Sequence, residues 1–411
     1  MSTDAWTSAH RRVVTAAFLG WMLDAFDFFL VIFVLAHIAH DFRTDVKSVT
    51  YAIFLTLAMR PLGAFLFGRL ADRYGRRPAL IANVLAYSAM EFASALAPSL
   101  AVFLAMRALF GVAMGGAWGV GASLALETVP VPARGRVSGI LQCGYPSGYL
   151  LAAVVFGLLY GQIGWRGMLM VGALPAVLTL FILATVPESP VWAAERRGAS
   201  SGNARAPGLL TSLSGHWGLV LYTIVLMTAM NFFSHGTQDL YPTFLEAQRG
   251  LSNAAESRIA IIYNIGAICG GLFFGTLSSR IGRRRTITIA VLLALPALPF
   301  WAYSTGATSL AVAAFAMQFM VQGAWGVVPV HLNELSPHAL RATFPGLVYQ
   351  LGNLLASYNA TLQASLADSH GGAGHPDYAF ALAVVCGVAI PSIALLAGLG
   401  PQRQNVRFVE R

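Results

Sequence analysis

Long apolar stretches alternate with short polar segments along the whole chain. An α-helix needs about 20 apolar residues to cross a hydrocarbon core of about 30 Å. The pattern predicts twelve such helices, called spans 1–12 below. The spans cover residues 14–36, 50–72, 79–97, 100–124, 137–161, 166–186, 217–243, 257–279, 286–304, 308–333, 342–366 and 378–399. We therefore expect an all-α membrane protein.

Composition supports this expectation, since 57% of the residues are hydrophobic and 10% are charged. Soluble domains carry about 25% charged residues. The net charge of +9 would also suit a nucleic-acid-binding protein, but its distribution argues against that partner. If both termini are cytoplasmic, the inside loops and tails hold most of the Lys and Arg residues, and this bias sets membrane orientation. The bias towards Arg, Ala and Gly is typical of a GC-rich bacterial genome, so we expect an inner-membrane location with lipid as a partner.

An internal repeat divides the chain into two halves. The segment Gly68–Arg77 is echoed by Gly275–Arg284, and the same offset of 207 positions pairs Gly116–Val120 with Gly323–Val327. The repeat predicts a six-helix half at residues 1–188 and a second at residues 216–411. Residues 189–215, rich in Gly, Ser, Ala and Arg, are expected to form a flexible cytoplasmic linker.

The doubled Gly-x-x-x-Asp-Arg-x-Gly-Arg-Arg loop resembles the signature of the major facilitator superfamily. The resemblance implies a fold of two six-helix repeats, a monomer, and a cytoplasmic gate in which the loop Asp pairs with other residues. Only the first copy keeps the Asp, because Ser279 replaces it in the second. A pure topology signal is the alternative for this loop. For Glu127 and Glu334, at the cytoplasmic ends of spans 4 and 10, the alternative is contact with helix ends and loop arginines. The candidate gating residues are Asp72, Arg73, Arg76, Glu127, Arg280 and Glu334.

Span 7 carries a polar stripe on an otherwise apolar helix. Its residues follow steps of three and four, so they share one helical face: Asn231, Ser234, His235, Gln238, Asp239 and Pro242. Unsatisfied polar groups are costly in lipid, so the stripe should line a cavity or contact another polar helix. His235 and Asp239 could pair as a proton relay, and Pro242 should bend the helix near its outer end.

This stripe resembles the span-7 signature of yeast lactate/pyruvate:proton symporters, Asn-x-x-Ser/Thr-His-x-Ser/Thr-Gln-Asp-x-x-Pro-Thr. The resemblance implies that Asn231, His235, Gln238 and Asp239 serve substrate recognition and transport. It also implies substrate contacts for Arg60 in span 2, for Tyr145 in span 5, and for Gln350 and Asn353, which form a second polar stripe in span 11.

Three charged positions within spans are candidates for substrate or proton chemistry. Arg60 presents a planar fork suited to a carboxylate, and the proline after it disfavours regular helix at that residue. Asp24 and Asp27 share a face of span 1, where two carboxylates would favour proton uptake. A structural ion pair of Arg60 with Asp24, Asp27 or Asp239 is the alternative for all of them.

Span 4 contains Arg107 in a four-residue series with Gly111 and Gly115. The small residues predict close helix packing, and a charge within a span is costly enough to suggest a function. The series resembles the superfamily's span-4 signature, which implies a role in proton coupling for Arg107.

These features favour a proton-coupled symporter of small monocarboxylates such as lactate or pyruvate, with Asp239 or the Asp24/Asp27 pair carrying the proton. Larger organic acids, aromatic or sialic, are the alternative substrates. A non-transporting nutrient sensor is a further alternative, although the short ends of the chain disfavour it. The sequence shows no nucleophile–base pattern, metal-ligand spacing or phosphate loop, so we expect neither an enzyme nor a cofactor or metal site.

Overall fold

The fold was analysed in a computed structural model that describes residues 6–44, 46–200, 215–371 and 375–403. The described chain is built from helices, which confirms the all-α prediction. The first four spanning helices are α1 (Ser8–Asp41), α2 (Val46–Tyr74), α3 (Arg76–Ala95) and α4 (Leu100–Thr128). Helix α5 comprises Arg134–Gln142 and continues into Gly144–Val171. Gly164, with φ of 62° and ψ of −175°, separates α5 from α6, which runs from residue 165 through Ala176–Thr185.

The second half repeats this arrangement. Helix α7 comprises Trp217–Gly236 and a short continuation at Tyr241–Thr243, and α8 and α9 are Asn253–Ile281 and Arg283–Tyr303. Helix α10 comprises Ala307–Trp325 and Val328–Leu335, α11 comprises Thr343–Ala356 and Asn359–Gly371, and α12 is Tyr378–Leu399. Each of the twelve predicted spans therefore corresponds to one helix or one broken helix.

Nine helices in the described part of the chain are long and apolar enough, by length and composition alone, to cross a membrane. The remaining three differ for physical reasons. Helix α3 carries Arg76, Arg77 and Glu91, while α6 and α11 are divided into shorter pieces. The break in α7 at residues 237–240 lies one turn before Pro242, whose ring excludes the carbonyl of residue i−4 and has no N–H to donate. The predicted bend is thus a full interruption, two to five residues before Pro242.

Two glycines form the tight turns of the repeated loop. Gly75 between α2 and α3 has φ of 114°, and Gly282 between α8 and α9 has φ of 98°. Residues with a side chain rarely adopt this backbone region. The predicted linker is helical at Pro190–Ser200, so the expected flexibility does not apply there, and residues 201–214 lie outside the described residues.

The two halves meet at one end of the bundle, called the basic face, which carries the loops at Gly68–Arg77 and Gly275–Arg284. Here α2 and α4 pack against the first part of α11, and the first part of α5 packs against α8. The Ser123 hydroxyl donates to the carbonyl oxygen of Arg341 at 2.9 Å. The N–H of Val330 donates to the Ser138 hydroxyl at 3.1 Å. These contacts close the space between the halves at the basic face.

Candidate functional site

A cavity of about 480 Å³ lies between the two halves. Its lining combines aromatic side chains with a few polar ones from both halves: Trp21, Phe28, Phe29, Ile32, Ile53, Leu57, Arg60, Gln142, Tyr145, Tyr149, Asn231, Ser234, His235, Gln238, Asp239, Pro242, Tyr263, Asn264, Gln322, Trp325, Tyr349, Asn353, Ser357 and Ala360. Several of these, such as Trp21, Gln142 and Trp325, are buried, whereas Ser357 is exposed. The side chains of His235 and Asp239, at the break in α7, are each 30% exposed, so the cavity is accessible at this point.

Arg60 lies in this cavity and is 3% exposed. Its Nε and Nη2 atoms have no hydrogen-bond partner among the described residues, and its guanidinium lies beside the Tyr349 hydroxyl. No carboxylate in the described chain lies within ion-pair distance of it, although Asp24 is near enough to feel its charge. A buried guanidinium with free donors favours an anionic ligand with two acceptor oxygens.

Helix α2 runs through Arg60 without interruption and has Pro61 inside it, so the expectation of irregular backbone at Arg60 is wrong. Glycines in α4 support this part of α2. A Cβ at Gly115 would lie 2.0 Å from the carbonyl oxygen of Arg60, and one at Gly111 would lie 2.2 Å from that of Thr56. The close packing predicted for this face of α4 is confirmed, and it holds the backbone of Arg60 in place.

On the opposite wall, His235 lies between two oxygen acceptors. Its Nδ1 is 3.0 Å from Asp239 Oδ1, and its Nε2 is 2.9 Å from Asn353 Oδ1. The second Asp239 oxygen accepts from the Asn359 amide at 3.2 Å. A protonated imidazole would donate to both flanking oxygens, whereas a neutral ring donates through one nitrogen only. The predicted His235–Asp239 contact is present.

Of the other predicted substrate contacts, Tyr145, Asn231 and Gln238 line the cavity, whereas Gln350 does not. Tyr145 lines the cavity and stacks on Trp21 with ring centroids 5.8 Å apart. Asn231 also lines it, while its amide donates to the carbonyl of Met227 at 2.8 Å. Gln238 donates to the Ser234 hydroxyl at 3.2 Å. Gln350 is different, because it is 1% exposed and is not part of the cavity lining.

The predicted proton-coupling residues of the first half lie behind the cavity wall. Asp24 and Asp27 are fully buried, and their carboxylate oxygens have no hydrogen-bond partner in the described chain. Arg107 forms an ion pair with Glu91 of α3, a residue that the sequence analysis did not single out. The available signal was an acidic residue inside an apolar span.

At the basic face, matching ion pairs occur in both halves. Arg76 contacts both oxygens of Glu127 at 3.0 Å, and Arg283 contacts both oxygens of Glu334 at 3.1 Å. Arg73 and Arg280 are exposed and form no ion pair within the described ranges. Arg283, not Arg280, is therefore the second-half residue that corresponds to the paired Arg76.

Asp72 bridges the two halves. One of its oxygens accepts from the N–H of Ala342 at 3.0 Å, and the other accepts from the N–H and hydroxyl of Thr343 at 3.2 and 2.6 Å. These donors lie at the N-terminus of α11, where the helix dipole favours a carboxylate. Sequence reasoning identified Asp72 but not this partner, since the contact spans 271 positions.

Twelve helices in two repeats around a central polar cavity define an integral membrane transporter. The chain belongs to the Major Facilitator Superfamily, whose family model matches residues 17–360. It is also similar to solved structures. The proton:xylose symporter XylE bound to 6-bromo-6-deoxy-D-glucose superposes with a TM-score of 0.79 at 18% identity, covering 97% of each chain. At this identity the likeness shows the fold alone.

Three curated relatives have similar sequences. The carboxylic acid transporter protein homolog of Saccharomyces cerevisiae is 30% identical over 402 residues, covering 90% of this chain and 64% of the yeast protein. The chain thus spans less than two thirds of that relative. The sialic acid transporter NanX of Escherichia coli is 28% identical over 83% of this chain and 84% of its own length. The niacin transporter NiaP of Acinetobacter baylyi is 26% identical and covers 84% of each.

Proposed function

We propose that this chain is a proton-coupled symporter of organic monocarboxylates, with lactate or pyruvate as the first candidate substrates. The observation that carries the proposal is the buried guanidinium of Arg60, which has free donors and faces a cavity shared by both halves. The substrate carboxylate binds there, and Asn231, Gln238 and Asn353 contact its other polar atoms. Relatives named for carboxylic acid, sialic acid and niacin transport support an acidic substrate.

In this proposal the basic face is cytoplasmic, in keeping with the distribution of Lys and Arg. The cavity then opens to the outside, and the contacts around Asp72 form the closed inner gate. Both termini are cytoplasmic, and the two six-helix halves rock about the occupied site to release substrate inside. The location is the inner membrane of a bacterium.

The proposed proton coupling follows from the electrostatic interactions that connect Arg60, Asp24 and Asp27. Arg60 is the basic group whose charge reaches Asp24, and Asp24 in turn acts on Asp27. A substrate carboxylate at Arg60 neutralises the charge that balances Asp24. The added negative charge then stabilises a proton held by this region or by the His235–Asp239 pair, so that proton and substrate are bound together. One proton with one anion makes transport electroneutral.

A larger aromatic monocarboxylate is a second candidate, because of the volume and lining of the cavity. A volume of about 480 Å³ lies within the range of about 300–1,000 Å³ for pockets that hold drug-sized ligands. Stacked and edge-on rings such as Tyr145 against Phe29, with centroids 5.2 Å apart, suit a flat apolar ligand.

The test is uptake of labelled lactate into proteoliposomes under an inward proton gradient. Wild type should accumulate lactate, whereas Arg60→Ala should not. Asp239→Asn should slow accumulation, and Arg258→Ala, which replaces an exposed arginine, should match wild type. Unlabelled benzoate as a competitor distinguishes the two substrate classes. Equal uptake by wild type and Arg60→Ala would refute the carboxylate site, and stimulation by membrane potential at equal pH would refute electroneutral coupling.

A further inference from the structure

A group of buried ionisable side chains lies inside the first half and outside the cavity lining. This carboxyl cluster consists of Asp24, Asp27, Tyr87, Glu91 and Arg107, and each member is at most 1% exposed. The charged groups near enough to act on Asp27 are Glu91, Asp24 and Arg107, and Tyr87 lies near both aspartates. The cluster thus joins α1, α3 and α4, and Asp24 connects it to Arg60.

The ion pair between Arg107 and Glu91 is incomplete. Arg107 Nη1 contacts one Glu91 oxygen, while Arg107 Nε and the other Glu91 oxygen have no hydrogen-bond partner in the described structure. By contrast, Arg76 and Glu127 use two donors and both oxygens. A two-point pair fixes its partners, whereas the one-point pair leaves Arg107 donors available to another carboxylate.

The nearest alternative carboxylate is that of Asp27, and Gly172 in α6 provides the space for it. A Cβ at residue 172 would lie 2.8 Å from Glu91 Cγ and 3.0 Å from Asp27 Oδ1. Both acidic side chains therefore border the small volume that glycine leaves open. Asp27 and Glu91 are adjacent, and Arg107 contacts Glu91 and is near enough for its charge to act on Asp27.

Charge balance shows what this arrangement requires. Asp24, Asp27 and Glu91 face two guanidinium groups, those of Arg107 and Arg60. Buried charges without partners are costly, so the excess negative charge calls for one bound proton.

We propose that Glu91 shares the coupling proton with Asp27: Arg107 pairs with one carboxylate while the other carries the proton. In the described state Arg107 pairs with Glu91, so Asp27 holds the proton. When the proton leaves Asp27, its O–H bond breaks, an O–H bond forms on Glu91, and Arg107 moves to the Asp27 carboxylate. This inference rests on the proposed symport, and it assigns Glu91 as a positioning and proton-sharing residue.

The experiment compares two transport assays on Glu91→Gln in proteoliposomes. Counterflow exchanges substrate for substrate and needs no net proton movement, whereas accumulation requires coupling. With an inward gradient of one pH unit, a one-to-one symporter accumulates substrate about tenfold. We expect about tenfold accumulation in wild type and almost none in Glu91→Gln. The rate of counterflow in Glu91→Gln should stay within about threefold of the wild-type rate. Glu246→Gln, which neutralises an exposed glutamate, is the matched control and should accumulate like wild type.

A second variant tests the same role of Glu91 independently of whether Glu91→Gln folds. Gly172→Ala keeps every ionisable group and has ordinary helical backbone angles of −62° and −10°, but its Cβ pushes Asp27 and Glu91 apart. Its pH profile of uptake should therefore be displaced from that of wild type.

Wild-type accumulation by Glu91→Gln, or an unchanged pH profile in Gly172→Ala, would overturn the role of Glu91. Absence of both accumulation and counterflow in wild type, with lactate and with benzoate, would instead refute the proposed function.

Discussion

The contact of Asp72 with the N-terminus of α11 exists only while the basic face is closed. Three donors point at this carboxylate: the N–H groups of Ala342 and Thr343 and the Thr343 hydroxyl. Two other neighbours lie outside the second half: Arg76 of the same half is 3.5 Å away, and Trp192 of the predicted linker donates to the Asp72 carbonyl at 3.2 Å. Substituting Asp72→Asn therefore weakens contacts that are present when the basic face is closed and absent when it is open. Such a substitution shifts the equilibrium between these two states.

The size of the shift follows from the number of bonds. A hydrogen bond to a charged group contributes about 1.5–3 kcal/mol, and a neutral one contributes about 0.5–1.5 kcal/mol. Replacing the charged acceptor by a neutral one weakens each of the three bonds by about 1–1.5 kcal/mol, so the total loss is about 3–4.5 kcal/mol. This corresponds to a change of about 150–2,000-fold in the ratio of closed to open basic face.

Spin labels at residues 73 and 280 can measure this ratio. Arg73 and Arg280 are exposed on opposite halves of the basic face, and the three native cysteines would first be replaced by serine. Electron–electron distance measurements should show a longer distance between the labels in a large fraction of Asp72→Asn molecules.

The matched control for this experiment is Asp377→Asn. Asp377 also caps a helix N-terminus, accepting from the N–H of Phe380 at 3.1 Å, but both residues lie in the same half. A distance distribution in Asp72→Asn identical to that of Asp377→Asn would show that the Asp72 contact does not control the gate.

Two further predictions concern the cavity wall. Arg60→Lys should raise the substrate concentration for half-maximal counterflow about 10–100-fold, because an ammonium cannot bind a carboxylate with a planar fork. Quenching of the nearby Trp21 and Trp325 fluorescence gives an independent binding curve. Unchanged values would contradict binding of the substrate carboxylate by Arg60. Gly115→Ala should destabilise the protein by about 1–3 kcal/mol, since its Cβ would overlap the Arg60 backbone. Thermal unfolding measures this effect, and Gly161→Ala, where a Cβ meets no atom within 4 Å, should leave the midpoint within about one degree.

The helices and their order could be predicted because each span must supply its own apolar surface to the membrane and satisfy its own backbone. The breaks within helices were harder to predict from the sequence. The consequence of Pro242 was predicted at the proline, but the interruption falls at residues 237–240. There the Gly236 carbonyl accepts from Gln363 of α11, and the Asp239 carboxylate accepts from Asn359. Pairing between helices also escaped prediction, and Glu91 shows why. Its partner Arg107 is 16 positions away on another helix, a separation that no helical periodicity encodes.

Comparison of the halves separates structural roles from chemical ones. At the offset of 207 positions, the Arg76–Glu127 pair matches the Arg283–Glu334 pair, and the turn glycines also match. The loops of the two halves at the basic face therefore share one construction.

The buried charged side chains within the spans of the first half have no such equivalents. In the first half they are Asp24, Asp27, Arg60, Glu91 and Arg107, and the second half has Asn231, Ser234, Ala267, Leu298 and Ala314 at the corresponding positions. Because buried charge is costly and must be balanced locally, these five residues form one electrostatic unit within one half. We infer that the first half holds the substrate carboxylate and one of the two candidate proton sites, while the second half supplies the His235–Asp239 pair and neutral amides that contact the rest of the substrate. Moving Arg60 to the second half, as Arg60→Ala with Ala267→Arg, should therefore abolish accumulation, because Asp24 would lose the guanidinium whose charge acts on it.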